Sequence, residues 1–341
     1  MAKTLISLGA NLGNPRQVMQ HAGEMILKRF GASNVEFSRL YRTPAVGGPV
    51  GQDDFFNAVA TIHSTESAFG VWQSLNAIEQ SLGRQRRDRW EARRIDLDVL
   101  LHNDERHWTP TLKVPHPRMI MRTFVLEPAC EIAASWIEPV TGQTIESLSQ
   151  SLLQIRDHAL DASPSVHVLV VTENIERTHR IAEAILETAH TQTATEPHVL
   201  EELHDVAGNR FVVQLNSNCH VTLQSMPPLK RPTSKAQIED VRHQLDHQIV
   251  EYQATRPLNL LVFAGASPDP SLIHWEDYCR GWAELLGLVN SCEFKSDVSA
   301  FRKLPKYLLA ADDPMWAAHE LRAAMTAMTC PIQPCGAFFD A

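Results

Sequence analysis

The chain has 341 residues, 44% of them hydrophobic and 21% charged, with a formal charge of -9. That is ordinary globular composition at a length that suits two domains, since about 150 residues is a usual domain size. The acidic balance argues against a nucleic-acid or membrane-surface binder, because such proteins carry a basic face.

No apolar stretch approaches the ~18 residues of a membrane span. The run Met1-Ala-Lys-Thr-Leu-Ile-Ser-Leu-Gly9 is too short in apolar residues for a signal peptide. A cytoplasmic protein with reduced thiols is therefore expected. The 6 cysteines form no CxxC pair, and Cys330 with Cys335 is a weak zinc signal without further partners.

In chain order, Thr4 to Ala10 reads as a first, central strand. Asn14-Pro15 is a helix start, with a capping side chain and proline at the first helical position, and Gly31 closes that helix. Val35 to Tyr41 reads as a second strand. Thr43 to Asp54, with Pro44, Gly47, Gly48, Pro49 and Gly51, is too polar and Gly/Pro-rich for regular structure, and its length favours a functional loop. Phe55 to His63 is a third strand paired with the second. Phe55 and Asn57 share one face of it, which suits either an ordinary sheet face or a flat heterocycle stacked on a ring and read along its edge by an amide. Ser67 to Leu82 is a second helix.

Next comes Gly83-Arg-Gln-Arg-Arg-Asp-Arg-Trp-Glu-Ala-Arg-Arg-Ile-Asp-Leu-Asp-Val-Leu-Leu101. Ile95, Leu97 and Val99 alternate with Arg94, Asp96 and Asp98, so a strand carries both aspartates on one face. Adjacent carboxylates repel unless a cation lies between them, and Mg²⁺ takes one or two carboxylates plus phosphate oxygens. Arginine forks match phosphate. Together these suggest phosphoryl or pyrophosphoryl transfer, although a charge run on its own is also compatible with a solvated face. His102 to Thr111 is a polar hairpin. Val114 to Met119 is a loop leading to a short helical turn, and His116 and Arg122 are further candidate phosphate ligands. Phe124 to Ile132 is a helix, and Ser147 to Ile155 another.

The segment Arg89-Trp90-x-x-Arg93-x-Ile95-Asp96-Leu97-Asp98-Val99-Leu100-Leu101 resembles the signature of the 6-hydroxymethyl-7,8-dihydropterin pyrophosphokinase family of folate biosynthesis. Further blocks are similar in the same order: Leu5 to Gly13, Tyr41 to Pro44, Phe55 to Val59, Val114 to Met119, and Phe124 to Pro128 with Glu131 to Ala133. The resemblance covers roughly the first 155 residues and stops there.

It implies an α/β protein whose residues 1–158 form an α+β ferredoxin-like pyrophosphokinase domain with a mainly antiparallel sheet. The implied substrates are ATP and 6-hydroxymethyl-7,8-dihydropterin, with two Mg²⁺ ions on Asp96 and Asp98. Arg84, Arg93, His116 and Arg122 would surround the triphosphate, and Lys113 would add a phosphate contact. Asn76 and Glu79 would face adenosine. Thr43, Pro44, Val46, Phe55, Asn57, Trp90 and Phe124 would form the pterin site, with Phe55 and Phe124 on opposite faces of the ring and Asn57 on its edge. Glu91-Ala92 stands where Gly-Pro is frequent, Pro117 where an aromatic is common, and Phe55 where a Tyr is frequent. The arginine loop is one residue shorter.

Asp157 to Ser165 reads as a linker. Beyond it, strands are expected at 166–171, 211–215, 220–224, 258–264 and 307–311. Helices are expected at 175–189, 234–255, 275–286 and 314–328. This alternation predicts a separate α/β layered domain over 165–341. It has neither GxxxxGK[ST] nor GxGxxG. Two readings stay open for it: a degenerate nucleotide-kinase-like module, or a module for self-association or for docking a neighbouring folate-pathway enzyme.

Overall fold

Nine residues alternating around Leu5, Ile6 and Leu8 make β1 (Ala2–Ala10) the centre of the first sheet. The computed structural model describes residues 1–47, 51–83, 92–159, 166–172, 175–190, 198–205, 208–216, 219–225, 234–255, 258–264, 282–289, 300–309 and 313–339. The expected linker core and most of the expected helix at 275–286 lie outside the described residues, as do Arg84 and Trp90.

β1 pairs antiparallel with β4 (Phe55–Ser64) on one side and with β5 (Asp96–His102) on the other. The second strand expected at 35–41 is instead two short ones, β2 (Val35–Phe37) and β3 (Tyr41–Thr43), both paired with β4. The break falls where Ser38 turns its hydroxyl inward to accept from the Val59 N–H at 3.0 Å. Helix α1 (Pro15–Phe30) starts at Asn14, whose side chain accepts from the Gln17 N–H, and stops at Gly31 with φ 90°. Helix α2 (Ala68–Ser81) is capped by Ser67. Both helices cover one face of the sheet, packing on Ile6, Leu8, Ala58, Ala60, Leu97 and Val99.

The opposite face carries Leu5, Val59 and Leu101, covered by α3 (Thr123–Ala133) and α4 (Ile145–Ala159). His102 ends β5, rather than opening the polar hairpin, and is buried with its Nδ1 2.8 Å from Thr4 Oγ1. The hairpin itself consists of β6 (His107–Trp108) and β7 (Lys113–Val114).

The second sheet has the order β13-β12-β8-β11-β10-β9. Its strands are β8 (Val166–Thr172), β9 (His198–Asp205), β10 (Gly208–Asn216), β11 (Cys219–Ser225), β12 (Leu260–Ala264) and β13 (Lys306–Leu308). The β13-β12-β8-β11 part is parallel and the β11-β10-β9 part antiparallel. Strand β9 was not expected, since HVLEELHD has no clean alternation. Helices α5 (Ile175–His190) and α7 (Pro314–Met328) cover one face, and α6 (Lys235–Thr255) the other.

Residues 165–341 do not stand apart. A single apolar cluster runs from Leu5, Leu126 and Leu148 through Leu321 and Met325 of α7 to Val168 and Val262. Thr123 Oγ1 donates to the Cys330 carbonyl at 2.7 Å. The chain then returns to the first sheet as β14 (Gln333–Pro334), paired antiparallel with β3. Phe338 stacks on Phe37 at 4.3 Å between ring centroids. At Gly23 of α1 a Cβ would lie 2.5 Å from the Phe338 ring, so only glycine admits that ring there.

Candidate active site

Strand register builds the floor of the site. Asp96 lies opposite Gly9, and Asp98 opposite Ser7. Gly9 in turn lies opposite Asn57, and Thr43 opposite Phe55. These residues share one face, and the small Ser7 and Gly9 leave room above the carboxylates. A Cβ at Gly9 would meet Asn57 Oδ1 at 3.3 Å, so the glycine also keeps that amide in place.

β5 is an edge strand, and its free side is tied down twice. The Leu97 N–H donates to Glu79 Oε1 at 2.6 Å, and the Leu100 carbonyl accepts from the His116 N–H at 2.8 Å. At the entry to the strand, Asn11 Oδ1 accepts from the Arg93 N–H at 2.7 Å, while the Arg93 carbonyl accepts from the Asn11 N–H at 3.0 Å.

A cavity of about 240 Å³ opens on this floor. Thr43, Pro44, Val46, Phe55, Asn57 and Phe124 line it together with Arg93, Asp96, Asp98, His116 and Arg122. Arg93 Nη1 donates to Asp96 Oδ2 at 2.5 Å, and His116 Nε2 lies 3.7 Å from Asp98 Oδ2. Asn57 Nδ2 donates to Thr43 Oγ1 at 2.8 Å, both groups being buried. The Arg122 guanidinium sits 5.6 Å from the centroid of the Phe124 ring, a cation–π approach.

The charge arrangement is set by burial. Desolvation, helped by the Arg122 and Arg118 charges, holds His116 well below the usual imidazole value, so the ring is neutral at pH 7. Its Nδ1 accepts from the Arg118 N–H at 3.2 Å. The ring proton is then on Nε2, the atom facing Asp98. Burial, then Arg118, also pulls the Arg122 pKa down to about 10, against Asp98 and Asp96, which raise it. An anion entering here would relieve crowded positive charge.

Among the described residues no group of three or more His, Cys, Asp and Glu is arranged for a metal. Two half-buried carboxylates on one face, with arginines beside them, fit a hard cation that draws its remaining ligands from phosphate and water.

Glu79 is 2% exposed and braces β5 through Leu97. The strand's N–H needs an acceptor, and a helix-face pattern cannot reveal that need. Asn76 is half-buried on α2 and does not line this cavity among the described residues. Lys113 lines a neighbouring cavity, its Nζ 4.7 Å from the Trp108 ring centroid. Arg118 was overlooked. It lines this cavity and two neighbouring ones, and its only sequence mark is its place within Val114 to Met119.

Residues 5–134 match the family described as 7,8-dihydro-6-hydroxymethylpterin-pyrophosphokinase. The chain is similar to the 2-amino-4-hydroxy-6-hydroxymethyldihydropteridine pyrophosphokinase of Synechocystis sp., at 35% identity over 148 residues, which is 43% of this chain and 75% of that protein. It is similar to the enzyme of the same name from Haemophilus influenzae, at 34% identity over 160 residues, 47% of this chain and 97% of that protein. Among solved structures, the wild-type HPPK-DHPS of Plasmodium falciparum aligns at 9% identity over 89% of this chain and 80% of that one, with a TM-score of 0.36, too loose to bear on the fold. No helix among the described residues is long and apolar enough to cross a membrane.

Proposed function

The chain belongs to the 7,8-dihydro-6-hydroxymethylpterin-pyrophosphokinase family, and from that premise we propose that it moves the β,γ-pyrophosphoryl unit of ATP onto the hydroxymethyl oxygen of 6-hydroxymethyl-7,8-dihydropterin. The new bond joins that oxygen to the β-phosphorus. The bond from the β-phosphorus to the α,β-bridging oxygen breaks, AMP leaves, and the hydroxyl proton is released. The observation that carries this reading is one cavity that brings two aromatic rings and an amide together with two carboxylates, arginines and a histidine. On this reading residues 1–158, with a ferredoxin-like α+β core, carry the reaction, and 165–341 is an accessory part.

The pterin lies between Phe55 and Phe124. Thr43 takes one proton of the Asn57 amide, and the rest of that amide reads the heterocycle edge. Pro44 and Val46 close over the ring, as the first turn of a loop whose residues 48–50 lie outside the described residues. Beside the pterin, Arg93 and Arg122 hold phosphate oxygens in charge-assisted hydrogen bonds, and His116 Nε2 donates to one more. Asp96 and Asp98 would hold two Mg²⁺ ions, which when bound neutralise triphosphate charge and polarise the attacked phosphorus. Holding both substrates in one cavity supplies orientation, and the fixed cations stabilise charge that develops on the leaving AMP. Arg84 and Trp90 would contribute from outside the described residues.

The test is AMP release by the full chain with Mg-ATP, with and without the pterin. Pterin-dependent AMP in equal amount to pterin diphosphate is expected. Release of ADP instead of AMP would overturn the reading, because it would mean transfer of a single phosphoryl group.

A further inference from the structure

A second cavity, of about 320 Å³, adjoins the first. Arg93, Asp98, His116 and Arg118 are common to both, so the two share a wall of three charged side chains and an imidazole. Its first-half wall includes Trp72, Trp108 and Lys113, and its other wall comes from the second half: Tyr307, Leu308, Leu309, Trp316 and Glu320. Flat aromatic and apolar surface beside a cluster of cations suits a nucleoside polyphosphate, with base and ribose toward the tryptophans and phosphates toward the arginines.

The two halves meet at Arg118. Its Nη2 donates to Glu320 Oε1 at 2.6 Å, across 202 residues of sequence. The Tyr307 hydroxyl donates to Glu320 Oε2 at 3.0 Å. Glu320 is 2% exposed and Tyr307 7%, so both carboxylate oxygens are spent on fixed donors away from bulk water. Burial opposes the Arg118 charge, yet Tyr307 and Glu320 raise its pKa. A guanidinium is a rigid planar fork, so fixing one arm on a buried carboxylate fixes the direction of the others. The backbone of Arg118 belongs to the first half, and its head is anchored on α7 and β13. Where that positive charge lies between the cavities is thus decided by the second half.

We propose that Tyr307, Trp316 and Glu320 of the second half complete the nucleotide site of this enzyme: Glu320 and Tyr307 are positioning residues that hold Arg118 against the triphosphate, and Trp316 forms part of the wall for the nucleoside end. This rests on the pyrophosphokinase reading for its reaction, but not for its binding site. The second half then takes part in binding the nucleotide.

The test uses the full chain and a non-reacting probe, α,β-methylene-ATP with Mg²⁺, titrated calorimetrically beside steady-state kinetics. Glu320→Gln should weaken probe binding and raise the KM for ATP about 10-fold or more, the usual range for lost supporting contacts. In the Arg118→Met background the same change should add less than about 2-fold, because residues that act through one another are not additive. Tyr307→Phe should shift binding in the same direction by less, and Trp316→Ala should weaken the probe while the pterin KM holds. A contact that merely staples the halves would lower the melting midpoint in every background and leave probe affinity alone. That outcome, or fully additive effects of Glu320→Gln and Arg118→Met, overturns the proposal. If Glu320→Gln does not fold, Tyr307→Phe and Trp316→Ala decide, and unchanged affinity in both overturns it. A wild-type chain that binds the probe with this dependence but releases no AMP would sink the reaction and keep the site.

Discussion

The two adjoining cavities share Arg93, Asp98, His116 and Arg118 but were put together differently. The floor and the aromatic side of the smaller one come from β1, β3, β4, β5 and the start of α3, where strand register places Ser7, Gly9, Thr43, Phe55, Asn57, Asp96 and Asp98. The larger one has a wall that arrives roughly 200 residues later in the chain. A site held by strand register is specified locally, because one residue of slip would move every side chain to the other face. A site held by docked helices depends on the apolar packing that docks them, here Leu321 and Met325 of α7 against Leu126 and Leu148.

The comparison breaks first at the two carboxylates, of which Asp98 lines both cavities and Asp96 the smaller one. Asp96→Asn or Asp98→Asn should lower kcat by about 10³-fold or more with an unchanged circular dichroism spectrum, since metal position and charge neutralisation fail together. A loss confined to KM would mean that the carboxylates only bind. Phe124→Ala sharpens the comparison from the other side. Loss of one stacking face should raise the pterin KM about 10- to 100-fold while the KM for ATP stays within about 3-fold. Equal effects on both substrates would show that the cavities behave as one.

Stability separates the halves in another way. Removing residues 333–341 strips Phe338 from Phe37 and Phe339 from its edge contact with the same ring, at 5.5 Å. Burying one such side chain is worth roughly 1.5–3 kcal/mol, so the melting midpoint should fall by about 5 °C or more. A midpoint unchanged after truncation would mean that the first sheet does not depend on the strand.

The smallest effect is a pH slope. Burial lowers the His102 pKa, with Glu105 opposing. Below pH 6.5 the unfolded chain therefore takes up a proton that the folded chain refuses. Stability contributed by the neutral ring is fully present above that pH and is lost as pH falls toward the folded value. Urea titrations at pH 7.5 and 5.5 should show wild type losing more stability than His102→Asn. Equal losses would remove His102 from the acid response.

How much was legible follows the same divide. Asn14-Pro15, Ser67 and Ser234 mark helix starts because capping is a local transaction. The alternation around Asp96 and Asp98 marks a strand because the pleat is local too. The brace from Glu79 was not legible because its partner, the Leu97 N–H, lies 18 residues away. The break at Ser38, Arg39 and Leu40 was invisible because the Leu40 N–H and carbonyl bond to Gly336 and Cys335. Strand β14 is a Gln-Pro pair with no strand character of its own, and its partner alone makes it a strand. Arg118 lay in plain view, but nothing nearby in sequence revealed that a buried carboxylate awaited it.

That last strand also orders events in time. Gln333 meets Arg42 across 291 residues of sequence. While a ribosome is still adding those residues, β3 is an unpaired edge, a template on which another nascent chain could pair. Protection comes only when residue 334 has been made and has found its place. Yield from a cell should therefore depend on how fast the second half is translated, even where its purified product is fully stable.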